Sequence, residues 1–140
     1  MSTLYIPDVN VLLPLLNPEH EGNARAHAWL ESVERFATTP VTESGTIRLL
    51  MNPATGDRTF AEAVDLVQGL FTDARVQFLP DTGTLRKARV NLSQVRGFRQ
   101  VTDFQLINLA VTHNAVLATY DSKILEALVS SDRRYVDVIP

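Results

Sequence analysis

Short apolar runs of strand length alternate with longer runs of helical period along the whole chain, and this alternation constrains the fold more than any single residue. Leu4-Tyr5-Ile6-Pro7, Phe36-Ala37-Thr38-Thr39-Pro40, Val76-Gln77-Phe78-Leu79-Pro80, Ala115 to Tyr120 and Tyr135 to Ile139 read as strands. Between them, Val9 to Leu16, Glu21 to Arg35, Thr42 to about Met51, a run from Thr59, residues 83–95, and Thr102 to Asn114 read as helices. The run from Thr59 has the clearest apolar stripe: Phe60, Ala63, Val64, Val67, Leu70 and Phe71. A last helix is expected after Asp121, carrying Ile124, Leu125, Leu128 and Val129. Alternation of this kind implies an α/β fold with a short, mostly parallel sheet flanked by helices on both faces. Right-handed crossovers bring the carboxyl ends of such strands to one edge, where ligands of open α/β sheets bind.

The chain has 140 residues, enough for one domain over residues 1–140 and a core that hides roughly two thirds of the unfolded surface. It has no cysteine, which excludes disulfides and thiolate metal sites. No apolar run has the length needed to cross a bilayer, and Met1 to Tyr5 does not start like a secretory signal. A cytoplasmic protein is the expectation. The net charge of −3 lacks the overall basic character of proteins that grip long duplexes. Any contact with nucleic acid must therefore be local.

Four acids fall where this fold brings chain segments together. Asp8 and Asp121 end the first and fourth strands, while Glu43 and Asp103 open helices on the same side. Singly, each could be a helix cap or a complement to a helix dipole. However, Thr42 is placed to cap the Glu43 helix, and Thr102 with Gln105 spells a capping box. On their helices, Asp103 continues the stripe of Leu106, Ile107 and Ala110, and Glu43 that of Thr46, Ile47 and Leu50. Isolated ionised groups on a buried face are costly unless partnered. Converging carboxylates call for a cation, and an all-oxygen ligand set selects Mg²⁺ or Mn²⁺. Such a site serves phosphodiester hydrolysis with one ion or two.

Asn10 and Thr119 lie two residues from Asp8 and Asp121 and are placed to orient those carboxylates. Arg96 and Arg99, in the loop before Asp103, are candidates for gripping substrate phosphates, and Arg48 for pairing with an acid. His20, His27 and His113 lack metal-ligand spacing, and neither a phosphate-binding glycine loop nor a nucleophile elbow occurs. One competing reading is a phosphoacceptor receiver-like domain, for which Thr119 and Lys123 speak. That fold needs an acidic pair by the first strand and an acceptor Asp ending the third. Asp8 has no acidic neighbour, and Pro80-Asp81 is a poor substitute.

Four stretches in order, Pro7-Asp8-Val9-Asn10-Val11-Leu12-Leu13, Thr42-Glu43, Arg99-Gln100-Val101-Thr102-Asp103 and Leu117-Ala118-Thr119-Tyr120-Asp121, resemble the successive motifs of PIN-domain ribonucleases, more narrowly the VapC toxins. The resemblance covers essentially the whole chain. It implies Mg²⁺- or Mn²⁺-dependent endonucleolytic cleavage of RNA, with Asp8, Glu43, Asp103 and Asp121 as the catalytic carboxylates. It also implies a homodimer and inhibition by a cognate VapB antitoxin. Two positions depart from the family habit. Asn10 stands where Ser or Thr is frequent, and Ile124 where an aromatic is frequent. A catalytically inactive PIN module, whose carboxylates only anchor a basic peptide, is the remaining alternative.

Overall fold

A computed structural model describes residues 2–140. Five strands, β1 (Leu4–Pro7), β2 (Arg35–Thr38), β3 (Val76–Phe78), β4 (Val116–Thr119) and β5 (Val136–Val138), form one sheet in the order β3-β2-β1-β4-β5. Every pairing is parallel, as the alternation predicts. The chain winds outward from β1 through β2 to β3, then restarts beside β1 with β4. The strand order therefore reverses between β1 and β4, which is where ligands of such sheets gather.

Both faces of the sheet are covered. Leu4, Ile6, Ala37 and Leu117 face α5 (Val101–Thr112), meeting Phe104, Leu106, Ile107 and Ala110. On the other face Phe36 packs with Leu12, Leu15 and Ala26, and Ala118 with Val11 and Trp29. These come from α1 (Val9–Leu16) and α2 (Asn23–Glu31). α3 (Pro40–Met51) and α4 (Phe60–Gly69) close the domain around Leu13, Leu50 and Ala63. Central strands buried from both sides can be uniformly apolar, and Ile6, Phe36, Ala37, Leu117 and Ala118 are fully buried.

Several local readings need correction. α2 is shorter than the run from Glu21 to Arg35. The cap of α3 is Thr39, not Thr42: the Thr39 hydroxyl accepts from Thr42 N at 3.1 Å, and Thr42 Oγ1 accepts from Thr39 N at 2.9 Å. Pro40 then occupies the first helical turn, where its missing N–H costs nothing. α5 starts at Val101, so Thr102 lies inside the helix. Gln105 turns away from it and donates to Asp81 Oδ1 (2.8 Å) and Gly83 O (3.2 Å). Residues 83–95 form only a 3₁₀ turn, Leu85–Lys87, followed by irregular chain. The apolar side chains Leu85, Val90, Leu92 and Val95 do not share one helical face, and buried Asn108 holds the backbone instead, accepting from Arg89 N at 2.7 Å. After Asp121 the chain makes 3₁₀ segments, Ser122–Ala127 and Ser130–Tyr135, rather than an α-helix. The buried pair Ile124 and Ala127 has the three-residue spacing that a 3₁₀ helix stacks.

Candidate active site

Asp8 sits at the strand-order reversal. Its backbone N–H completes the β1–β4 ladder to Ala118 O (2.8 Å), and its side chain caps α1 by accepting from Val9 N at 2.7 Å. The second carboxylate oxygen accepts from Thr119 Oγ1 at 3.0 Å. Asn10 sets the direction of that bond. Its Oδ1 accepts from Tyr120 N (3.2 Å), so its Nδ2 faces Thr119 Oγ1 and donates to it at 3.0 Å. Asp121 N also donates to Thr119 Oγ1, at 3.2 Å. With two donors already on its oxygen, the hydroxyl directs its own proton to Asp8. Thr119 is fully buried and Asp8 is 8% exposed. Burial pushes the Asp8 carboxyl above the ordinary carboxylate range, opposed by the Thr119 and Val9 hydrogen bonds and reinforced by Asp121.

Asp103 lies half-buried in the first turn of α5. Burial first, then repulsion from Asp8 and from Asp121, pushes its carboxyl up to about 6. Asp121 is exposed, caps the following 3₁₀ turn, and accepts from Lys123 N at 3.0 Å. The fold therefore brings Asp8, Asp103 and Asp121 within electrostatic reach of one another. Glu43 is at the same sheet edge one strand over, in α3, and its Oε2 accepts from Thr38 Oγ1 at 2.6 Å. The only ion pair among the described residues is Arg75–Asp73, so no side-chain cation neutralises any of the four.

Among the described residues, no three His, Cys, Asp or Glu side chains form a ready-made cage for an ion. The donor set nevertheless suits a hard cation. It is all carboxylate, its mutual repulsion is met by no ion pair among the described residues, and Mg²⁺ characteristically takes one or two carboxylates and keeps several waters.

Of the remaining candidates, Asn10 and Thr119 are in contact with Asp8 or with its partner. Arg96 and Arg99 are exposed on the segment leading into α5. Arg96 Nη1 is folded back onto Ser93 O (2.9 Å) and Val95 O (3.2 Å), and Arg99 lies 5.7 Å from the Phe98 ring centroid. Arg48 is exposed and in no ion pair among the described residues. The sequence reading missed Thr38, the buried hydroxyl that holds Glu43. Its signal was a polar residue directly after the apolar pair Phe36-Ala37 at the end of β2.

The sequence profile of the PIN domain family matches residues 5–129. The chain belongs to the PIN domain family. This PIN domain is 38% identical over 116 residues to ribonuclease VapC29 of Mycobacterium tuberculosis, covering 82% of this chain and 84% of that one. It is 33% identical to ribonuclease VapC44 of the same organism over 121 residues, 84% and 85% of the two chains. Among solved structures it is similar to VapBC2 from Rickettsia felis bound to a DNA fragment from their promoter. The TM-score is 0.62 at 12% identity, over 98% of this chain and 99% of that one.

Proposed function

We propose that this PIN domain is a Mg²⁺- or Mn²⁺-dependent endoribonuclease, the VapC-type toxin of a toxin–antitoxin pair. The observation that carries the reading is the uncompensated acidic edge. Asp8, Asp103 and Asp121 repel one another at the strand-order reversal, and among the described residues none of them is in an ion pair. The identity to relatives named as ribonucleases supports the same conclusion.

When bound, a divalent cation supplies charge compensation and Lewis acidity at the scissile phosphate. Asp8 and Asp103 would be its principal ligands, and Asp103, held near 6 by burial and its acidic neighbours, would give up its proton to serve as one. Glu43 and Asp121 would hold waters around it or a second ion, and would accept the proton of the attacking water. The water oxygen bonds to phosphorus, the bond to the leaving ribose oxygen breaks, and that oxygen takes a proton from solvent. Thr119, itself directed by Asn10, keeps Asp8 in one orientation, and Thr38 does the same for Glu43. Arg96 and Arg99 face the substrate's phosphates.

The chain works as a homodimer in the cytoplasm, and a VapB-type antitoxin covers the acidic edge with a basic or aromatic segment. The likeness to the VapBC2 pair supports such a partner. A receiver-like phosphoacceptor fits poorly: its acceptor Asp would end β3, an outer strand two places from β1.

Sequencing RNA ends after expression of wild type and of Asp8→Asn tests the proposal. New ends are expected with wild type alone, and purified wild type should cut RNA with Mg²⁺ or Mn²⁺ but not with EDTA. Equal cleavage by both proteins, or cleavage indifferent to EDTA, refutes it. A protein that binds a basic peptide and never cuts RNA would be the inactive module.

A further inference from the structure

The mildly acidic chain carries one cationic stretch. From Thr82 to Thr102 there is no acid, yet Arg86, Lys87, Arg89, Arg96 and Arg99 all fall within it. All five are exposed, and none is in an ion pair among the described residues. This stretch is tied to the helix that carries Asp103. Asn108 of α5 accepts from Arg89 N (2.7 Å), and Gln105 of α5 donates to Gly83 O (3.2 Å).

At its end the stretch displays Phe98, 84% exposed, in a 3₁₀ turn (Phe98–Gln100) that runs directly into α5. The turn is well defined: Gln100 Oε1 accepts from Arg96 N (2.7 Å) and Gly97 N (3.1 Å). An aromatic ring held open to water, with the Arg99 guanidinium 5.7 Å from its centroid and Arg96 two residues before it in the chain, has both halves of a nucleotide site. The ring offers a π face to a base, and the arginines offer donors to the flanking phosphates.

We infer that residues 82–102 form the surface that receives single-stranded RNA, with one unpaired base stacked on Phe98 next to the acidic edge. The inference rests on the nuclease reading and adds to it a base-stacking residue outside the acidic edge. An A-form duplex keeps its bases stacked inside and offers Phe98 no free face. Burial against an apolar protein surface would strip water from five cations that have no acidic partner among the described residues, whereas a polyanion gives each one.

The test is fluorescence anisotropy of the whole chain in EDTA, which blocks cleavage, with a labelled single-stranded RNA of about 12 nucleotides. Phe98→Ala is expected to weaken binding between about 5- and 150-fold, the range that stacking on one aromatic carries. Phe98→Trp should keep the affinity. Phe98→Leu should lose it as Ala does, since leucine retains apolar area but has no π face. Arg99→Gln should reduce the slope of log affinity against log salt by about 0.7. The annealed duplex should not sense the Phe98 changes.

Affinity unchanged in Phe98→Ala overturns the inference. So does full affinity in Phe98→Leu, or a loss in Phe98→Ala that coincides with a changed oligomeric state, which would make this a protein interface. A parallel cleavage assay of wild type with Mg²⁺ keeps the two readings apart. Cleavage insensitive to Phe98→Ala sinks the base platform alone, and absence of any cleavage sinks the nuclease.

Discussion

The acidic edge is assembled from two sides built in different ways. Asp8 stands at the end of a central strand, with both carboxylate oxygens engaged and a directed chain of hydrogen bonds through Thr119 and Asn10 behind it. Asp103 stands on a helix fed by an irregular, cationic segment, and no donor among the described residues is hydrogen-bonded to its carboxyl. The first side has its orientation set by the fold before any ligand arrives. The second is under electrostatic tension, which a cation would relieve. A site of this kind joins a fixed carboxylate to one whose charge state answers to what is bound.

Replacing either acid by its amide should have the largest effect, and it separates the two sides. Asp8→Asn and Asp103→Asn are each expected to lower metal-dependent RNA cleavage by roughly a thousandfold or more. In metal-free buffer at neutral pH Asp103→Asn should be the more stable of the two variants, because the Asp8 carboxyl, although burial and Asp121 raise it as well, has hydrogen bonds to lose. In Asp8→Asn one oxygen becomes an NH₂ group, which meets a Thr119 hydroxyl already receiving two donors, at a cost of about 1–2 kcal/mol. Asp103→Asn removes a charge that burial and two neighbouring acids oppose, so the chain should melt higher. Thermal denaturation of the three proteins in EDTA checks the order. An Asp8→Asn variant as stable as Asp103→Asn would mean that the Asp8 hydrogen bonds do not hold it as described.

Thr119→Val comes next. It keeps shape but deletes the hydroxyl that orients Asp8, and loss of a group supporting a metal ligand commonly costs 10- to 100-fold, roughly, in metal affinity or activity. Thr119→Ser should restore most of it. Calorimetric titration with Mn²⁺ reads the effect independently of cleavage. Thr38→Val, acting on Glu43 one strand away, should give a smaller loss by the same measurement.

Much of this edge was legible in the sequence because a parallel sheet aligns strand ends. Once Leu4–Pro7 and Val116–Thr119 are strands, Asp8 and Asp121 must be near each other, and residues two positions away become their supports. What stayed hidden depends on a choice between local competitors. Thr38-Thr39-Pro40-Val41-Thr42 offers three hydroxyls as helix caps. The deciding signal was Pro40, which favours the first helical turn and makes Thr39 the cap. The run of residues 83–95 has helix-forming composition, with Val90 off the face of Leu85 and Leu92, and what holds its backbone is the buried side-chain carbonyl of Asn108, in α5. Long-range hydrogen bonds of this type leave no periodic trace in the sequence.

Asn108 also tests how independent the second side is. Asn108→Leu leaves the buried N–H of Val90 and that of Arg89 without their acceptor, and should destabilise the chain by about 2 kcal/mol. Limited proteolysis should then cut within residues 82–100 while the sheet persists. Cleavage spread evenly over the chain would show that the segment and the sheet melt as one unit.

A pH titration should expose the tension at Asp103 without any mutation. In the folded, metal-free chain this carboxyl keeps its proton up to about 6, whereas an ordinary aspartate releases it near 3.8. Between those values the folded state binds more protons than the unfolded state. The contribution is therefore complete below 3.8 and lost as pH rises through about 6. Denaturation midpoints in EDTA should show this fall, Asp103→Asn should flatten it, and saturating Mg²⁺ should mask it. A wild-type curve that rises over the same interval would contradict a raised Asp103.

The smallest expected effect lies on the fastened side. The Tyr120 hydroxyl is buried with no hydrogen-bond partner, while its ring lies 4.0 Å from the Arg25 guanidinium. Arg25 in turn donates to Ile139 O (3.2 Å) and Pro140 O (2.9 Å), tying α2 to the end of the chain. Tyr120→Phe keeps the ring under Arg25 and removes only a polar group that lost its water on folding. It should be neutral or stabilise by up to about 1 kcal/mol. Burial also raises the phenol above its ordinary value of 10.0, against the pull of Arg25. Wild type should thus lose stability as pH climbs past 10.0, and the phenylalanine variant should lack that part of the decline. Destabilisation by Tyr120→Phe would mean that the hydroxyl has a partner after all, and that the hydrogen-bonded network behind Asp8 extends one residue further than the Thr119–Asn10 pair.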